Sequence, residues 1–219
     1  MSQLATEAPL DCSFCPRLVA YRETNAADEP TWFNAPVPSF GTNDAELLVV
    51  GLAPGRTGAN QTGRPFTGDW AGDLLYATLD KFGFSEGEYK ARPDDGLQLK
   101  GAMITNAVRC VPPENKPVAA EINACRPFLI NRIKGLPKLK VLLTLGKISH
   151  DSTVRALGLK PSKYPFGHAV QYTLEDTPLG RPVELLSSYH CSRYNTNTGR
   201  LTEEMFHDVF AKAKACVDR

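Results

Sequence analysis

No stretch of this 219-residue chain approaches the about 18 consecutive apolar residues that mark a membrane-spanning helix. The opening residues, MSQLATEAPLDCSFC, show neither a basic start nor an apolar signal segment, so an intracellular protein without a membrane partner is expected. An excess of charge of one sign is also missing. The 25 lysines and arginines against 24 acidic residues leave a net charge of +1, which excludes a global attraction to polyanions. Any nucleic-acid site must therefore be a local patch. The chain also lacks internal repeats and low-complexity tracts. With 42% hydrophobic residues it can bury one sizeable core, so a single domain over 1–219 and a monomer are the simplest expectations.

Six cysteines are present. Without a secretory signal they point to metal or redox chemistry and away from a disulfide framework. Cys12-x-x-Cys15 and Cys110-x14-Cys125 form two pairs that could supply four thiolates to one centre. Four soft ligands suit tetrahedral zinc or an iron–sulfur cluster, and spacing alone does not choose between them or exclude buried free thiols. Cys216, near the C-terminus, reads as a plain core or surface thiol.

Apolar runs at 46–52 (ELLVVGL), 102–108, 139–146 (LKVLLTLG) and 183–190 (VELLSSYH) read as buried strands. The first enters a glycine-rich loop, GRTGANQTGRPFTGD, before a helix over Trp70–Phe82 that Gly83 can stop. A second helix over 118–133 follows the second strand, and Thr202 can cap a last one carrying Phe206, Val209, Phe210 and Ala213. Residues 28–43 and 84–100 read as irregular or inserted segments, and CSRYNTNTGR as a polar loop. Repeated strand–loop–helix units predict an α/β fold with helices on both sheet faces. Ligands of such folds sit beyond the carboxyl ends of the strands, where the loops after residues 50, 106 and 188 should meet.

Four strings in order, GLAPG followed by TGRPFTGD, then TNAVRCVPPENKP, the four paired cysteines, and SYHCSRYNTNTGRLT, resemble the iron–sulfur uracil-DNA glycosylases. They span residues 12–202. The resemblance implies a three-layer α/β/α sandwich around a mostly parallel, four-stranded sheet. It also implies a structural [4Fe–4S] cluster, in preference to zinc, on Cys12, Cys15, Cys110 and Cys125. Leu52 stands where type-A relatives carry an acid after the first glycine, so the chain looks like the type-B, or family-5, branch. Type-B relatives are thought to accept several deaminated bases. Cys191 stands where the family usually has proline, which would stiffen the loop after His190.

A glycosylase must flip its nucleotide out of the duplex, so its pocket needs a stacking surface, a reader of the base edge and a stabiliser of charge. Phe66 offers a flat apolar face, and Gly51, Ala53 and Gly55 let the loop backbone approach the base. Asn106, at a strand end, carries a donor and an acceptor that match N3–H and O4 of uracil and mismatch cytosine. His190 is the candidate donor to O2 of the departing base, where negative charge develops. Asp69 is the best carboxylate for orienting water or stabilising the cationic sugar, although it also suits a helix N-terminus. Arg193, Tyr194, Asn195 and Arg200 could grip the duplex backbone or fill the gap left by the flipped base, with Arg56, Arg64, Arg109 and Lys147 extending a basic rim. The partner implied is uracil-containing DNA.

No lysine suggests a Schiff-base lyase, so excision should leave an abasic site. The rival from another class is a cluster-bearing module that binds damaged or single-stranded DNA without turnover. A third reading makes Cys191 the nucleophile of a hydrolase with His168 or His207. GLAPGRTG lacks both the dinucleotide fingerprint and the phosphate-loop lysine.

Overall fold

The computed structural model describes residues 5–219. In chain order the elements are α1 (Pro16–Asp28), β1 (Phe40–Gly41), β2 (Leu47–Gly51), α2 (Ala59–Thr62), α3 (Trp70–Lys81), β3 (Ser85–Glu86), β4 (Gln98–Leu99) and β5 (Ala102–Asn106). They continue with α4 (Ala119–Lys134), β6 (Val141–Leu145), α5 (Lys147–Ala156), β7 (Gln171–Leu174), β8 (Val183–Ser188), α6 (Arg193–Asn197) and α7 (Glu203–Val217).

The main sheet has six strands in the order β1-β5-β2-β6-β8-β7. Its centre, β5-β2-β6-β8, is the parallel four-stranded sheet expected from the sequence. The count of four is corrected by β1 and β7, which pair antiparallel at the two edges. Both escape a reading of apolar runs for physical reasons. The two residues of β1 are too few to show a period, and only the last residue of β7 is buried. The central strands β2, β5 and β6 are buried at every position, which is why they read as unbroken apolar runs.

Strand alternation divides the interior in two. Leu47 and Val49 of β2, with Leu143 of β6, face Leu75 and Leu79 of α3 and Phe206, Val209 and Phe210 of α7. Leu48, Val50 and Leu142 face Leu129 and Ile133 of α4 and Val154 of α5. Two helical layers thus enclose the sheet, giving the three-layer sandwich. Thr202 caps α7 by accepting a hydrogen bond from the Met205 amide at 3.1 Å.

Other segments differ from the sequence reading. Helix α1 leaves no apolar period in the sequence, because it presents little apolar face to the core: only Leu18 and Asn25 are buried. The polar stretch after His190 is partly helical, with Ser192 capping α6. Within 84–100, strands β3 and β4 pair into a small ribbon. Beside it, Arg64 forks onto both carboxylate oxygens of Asp95 at 2.7 Å.

Strand β2 lies between β5 and β6, and the chain moves from it first to one side and then to the other. That reversal opens a crevice at the carboxyl ends of the strands.

Candidate active site

Gly51 ends β2 and Asn106 ends β5, paired across the sheet. The pairing runs on past the strands, the Ala107 amide donating to the Gly51 carbonyl at 3.0 Å and the Val108 amide to that of Leu52 at 2.9 Å. The two loops therefore leave the sheet side by side. A cleft of about 450 Å³ opens there, lined by Leu52 to Ala59, Phe66, Asp69 to Ala71, Asn106, Asn115, His190, Ser192 and Arg193.

A side chain at position 51 would displace two residues of the cleft. A Cβ there would stand 2.3 Å from Oδ1 of Asn106 and 2.7 Å from the ring of Phe66. Asn106 is buried, and its Oδ1 has no hydrogen-bond partner. An orphaned acceptor of this kind costs about 1–3 kcal/mol until a donor, from water or a ligand, meets it. The Phe66 ring stacks on that of His190, with centroids 5.9 Å apart and planes 26° from parallel.

His190 stands partly buried on the cleft wall, and desolvation lowers its pKa to about 4. The imidazole is therefore neutral near pH 7 and carries one N–H to donate. Its backbone is fixed by Asn195, whose Nδ2 donates to the His190 carbonyl at 2.8 Å.

Asp69 caps α3, accepting a hydrogen bond from the Gly72 amide at 3.1 Å, so its structural role is real. Its other oxygen faces the glycine loop, since a Cβ on Gly58 would lie 2.5 Å from Oδ2. Burial raises its pKa, and the amides of Gly72 and Ala71 partly offset the shift.

Next to the cleft, α6 packs on the start of α3. Arg193 lies over the Trp70 ring at 5.4 Å, and Trp70 Nε1 donates to Thr196 Oγ1 at 3.0 Å. Arg200 lies over Tyr189 at 4.6 Å, and Tyr194 stands 72% exposed. The wider basic rim needs correction. Arg64 is buried against Asp95, and Arg109 is buried and paired with Glu7 and Ser39, so both are structural. Lys147 is paired with Asp151. Arg56 does line the cleft, held by Asn25 at 2.8 Å and stacked on Trp32.

A family model described as the uracil DNA glycosylase superfamily matches residues 38–214. The chain belongs to the uracil DNA glycosylase superfamily. A "Type-5 uracil-DNA glycosylase" of Thermus thermophilus is 46% identical over 209 residues, covering 93% of this chain and 92% of that protein. A protein of the same description from Mycobacterium bovis is 41% identical over 93% of this chain and 77% of its own length. A "Type-4 uracil-DNA glycosylase" of Pyrobaculum aerophilum is 33% identical over 70% of each chain.

Within this uracil DNA glycosylase fold, Phe66, Asn106, His190 and Asp69 share the cleft with Ala53 and Gly55. Sequence reasoning missed Asn115 and Trp70, which also line it. Asn115 sits in the PPENKP string with φ +57°, a left-handed conformation that asparagine tolerates better than most residues. An asparagine between prolines was the available signal. Trp70 is the first residue of α3, where its sequence context signals only a helix start.

Cys191 is buried, its thiol donates to the Ala71 carbonyl at 3.4 Å, and burial raises its pKa. A buried neutral thiol is a poor nucleophile, which removes the cysteine-hydrolase reading. Cys216 is buried on α7, as a plain core thiol.

The other four cysteines line one apolar pocket with Leu18, Val108 and Phe128, under the stacked pair Phe14 and Phe128. The Arg109 amide donates to Cys125 Sγ at 3.3 Å, and Arg22 to Cys110 Sγ at 3.6 Å. As free thiols, Cys15, Cys110 and Cys125 have raised pKa values, Cys110 pushed up to about 12 and Cys125 to about 11, by burial first. Among the described residues no group of three or more His, Cys, Asp or Glu side chains is arranged to hold a metal ion. The four cysteines line one apolar pocket.

Proposed function

We propose that this chain is a monofunctional glycosylase that excises uracil from DNA by base flipping and leaves an abasic site. The observation that carries this reading is the convergence of Phe66, His190 and the unpartnered Oδ1 of Asn106 in one cleft at the strand ends. The similarity to proteins described as type-5 uracil-DNA glycosylases supports it.

In this reading the flipped base stacks on Phe66. Oδ1 of Asn106 accepts from N3–H, and its amide nitrogen donates to O4. As the C–N bond breaks, charge grows on O2 of the leaving base, where the N–H of neutral His190 donates, assisted by amides of the Gly51 to Gly55 loop. Asp69 faces the sugar, orienting water or countering the oxocarbenium charge. Arg193, Tyr194 and Arg200 grip the duplex or fill the vacated space, while Asn195 holds His190 in place.

We assign a [4Fe–4S] cluster to Cys12, Cys15, Cys110 and Cys125. Four soft thiolates around one apolar pocket suit a four-thiolate centre, and the resemblance to the iron–sulfur branch supports a cluster in preference to zinc. When bound it would supply a structural tie between the N-terminal segment and the core. The protein is read as one domain, a monomer, acting on genomic DNA inside the cell. Among the described residues no helix is long and apolar enough to cross a membrane.

The test uses an end-labelled duplex with one uracil opposite guanine, scored for breaks with and without alkali. Breaks only after alkali, lost on His190→Ala, are expected. Binding without breaks, from protein of intact cluster absorbance, would leave only a DNA-binding module. A borohydride-trapped adduct would contradict the monofunctional assignment.

A further inference from the structure

Phe66 carries the base-stacking face, yet its backbone sits at φ +54°, a left-handed conformation that a bulky residue adopts only when its surroundings impose it. Something must hold it there, and the holding group comes from the 84–100 insertion. The Tyr89 hydroxyl donates to the Phe66 carbonyl at 3.2 Å and accepts from the Gly68 amide at 3.4 Å, bridging the strained turn from both sides. The Tyr89 ring is itself fixed, stacked on Tyr76 with centroids 4.4 Å apart. Arg64, two residues before Phe66, is forked onto Asp95 of the same insertion. A Cβ on Gly72 would meet the Phe66 carbonyl at 1.9 Å, so the first turn of α3 closes on this carbonyl and leaves it no room to flip outward.

We propose that Tyr89 is a positioning residue for base excision: its hydroxyl clasps the Phe66–Gly68 turn and fixes the Phe66 ring where the flipped base stacks. The assignment rests on the uracil-excising reading of the same cleft. Burial pushes the Tyr89 pKa up to about 12, so the hydroxyl keeps its proton and its donor role throughout the working range. The insertion is thus a clamp on the catalytic loop, although it contributes no atom to the cleft wall.

Tyr89→Phe removes only the bridging oxygen and keeps the ring on Tyr76. The rate of uracil excision at saturating enzyme in a single turnover should fall about three- to ten-fold, as loss of one hydrogen-bonded bridge permits. Affinity for a duplex bearing an abasic site should hold within about two-fold, because the DNA-gripping residues are untouched. In a Phe66→Leu background the same change should cost nothing further, since the ring it positions is gone. Hydrogen exchange at the Gly68 amide should speed up in Tyr89→Phe. An unchanged excision rate, an additive loss in the double variant, or unaltered Gly68 exchange would each overturn the clasp. A parent protein without excision would instead overturn the functional reading, and the exchange measurement would still judge the clasp.

Discussion

Asn106 shows how much one side chain can decide. Its amide is buried at a strand end, and the carbonyl oxygen has no partner in the protein. In the proposed reading, N3–H of uracil supplies the missing donor, which cytosine lacks at that position. Asn106→Ala should therefore lower the single-turnover excision rate by about 10- to 100-fold, consistent with about 1–3 kcal/mol for a buried polar pairing, and should spare duplex affinity. Equal losses in both would place the residue in DNA binding. His190 makes a second residue-scale prediction. Burial lowers its pKa to about 4, so the folded protein keeps it neutral where an unfolded chain, titrating near 6.5, would bind a proton. This histidine therefore costs stability progressively as pH falls from about 6.5 toward 4. Its NMR titration midpoint should lie near pH 4, and the excision profile should show no inflection near 6.5 that His190→Gln removes.

At the scale of elements, position is set by unequal partners. Strand β2 and its loop are fixed by sheet pairing on both sides, but the 62–69 loop depends on the β3–β4 insertion for its hold. Arg64 and Asp95 are both nearly inaccessible to solvent, at 5% and 0% side-chain exposure. Removing one partner of a buried pair leaves the other charge uncompensated, so Asp95→Asn should destabilise the protein by about 3 kcal/mol, read by denaturant unfolding. The Arg64 guanidinium holds the Asp95 carboxyl well below the usual carboxylate range. Its contribution is complete above the ordinary carboxylate pKa and is lost only as pH falls through the lowered folded value. The stability difference between the parent and Asp95→Asn should accordingly be flat from pH 5 to 8. A difference that shrank over that interval would refute the assignment.

Across the whole molecule, the cysteine pocket joins segments far apart in sequence: Cys12 and Cys15 before and at the start of α1, Cys110 after β5, and Cys125 within α4. With a cluster bound, purified protein should carry about four irons and absorb in the visible. Cys110→Ser should bleach it, lower its thermal stability and expose the segment before α1 to proteases. Colourless protein with one zinc per chain would replace the cluster assignment.

The amino-acid order alone determined the parallel centre of the sheet, because strands buried on both faces must be apolar throughout, and ELLVVGL and LKVLLTLG are. It also placed Gly51, Asn106 and His190 at strand ends, hence at one end of the sheet. Edge strands β1 and β7 and the role of α1 were illegible, since short or one-sided elements leave no period to read. Only the tertiary structure separated the arginines: Arg193 lies beside the cleft while Arg64 and Arg109 are consumed in buried pairs. A charge reads the same in sequence whether it faces solvent or a carboxylate. The Tyr89 hydrogen bonds to Phe66 and Gly68 were equally hidden, because residues more than twenty positions apart meet only when the insertion folds back over the loop.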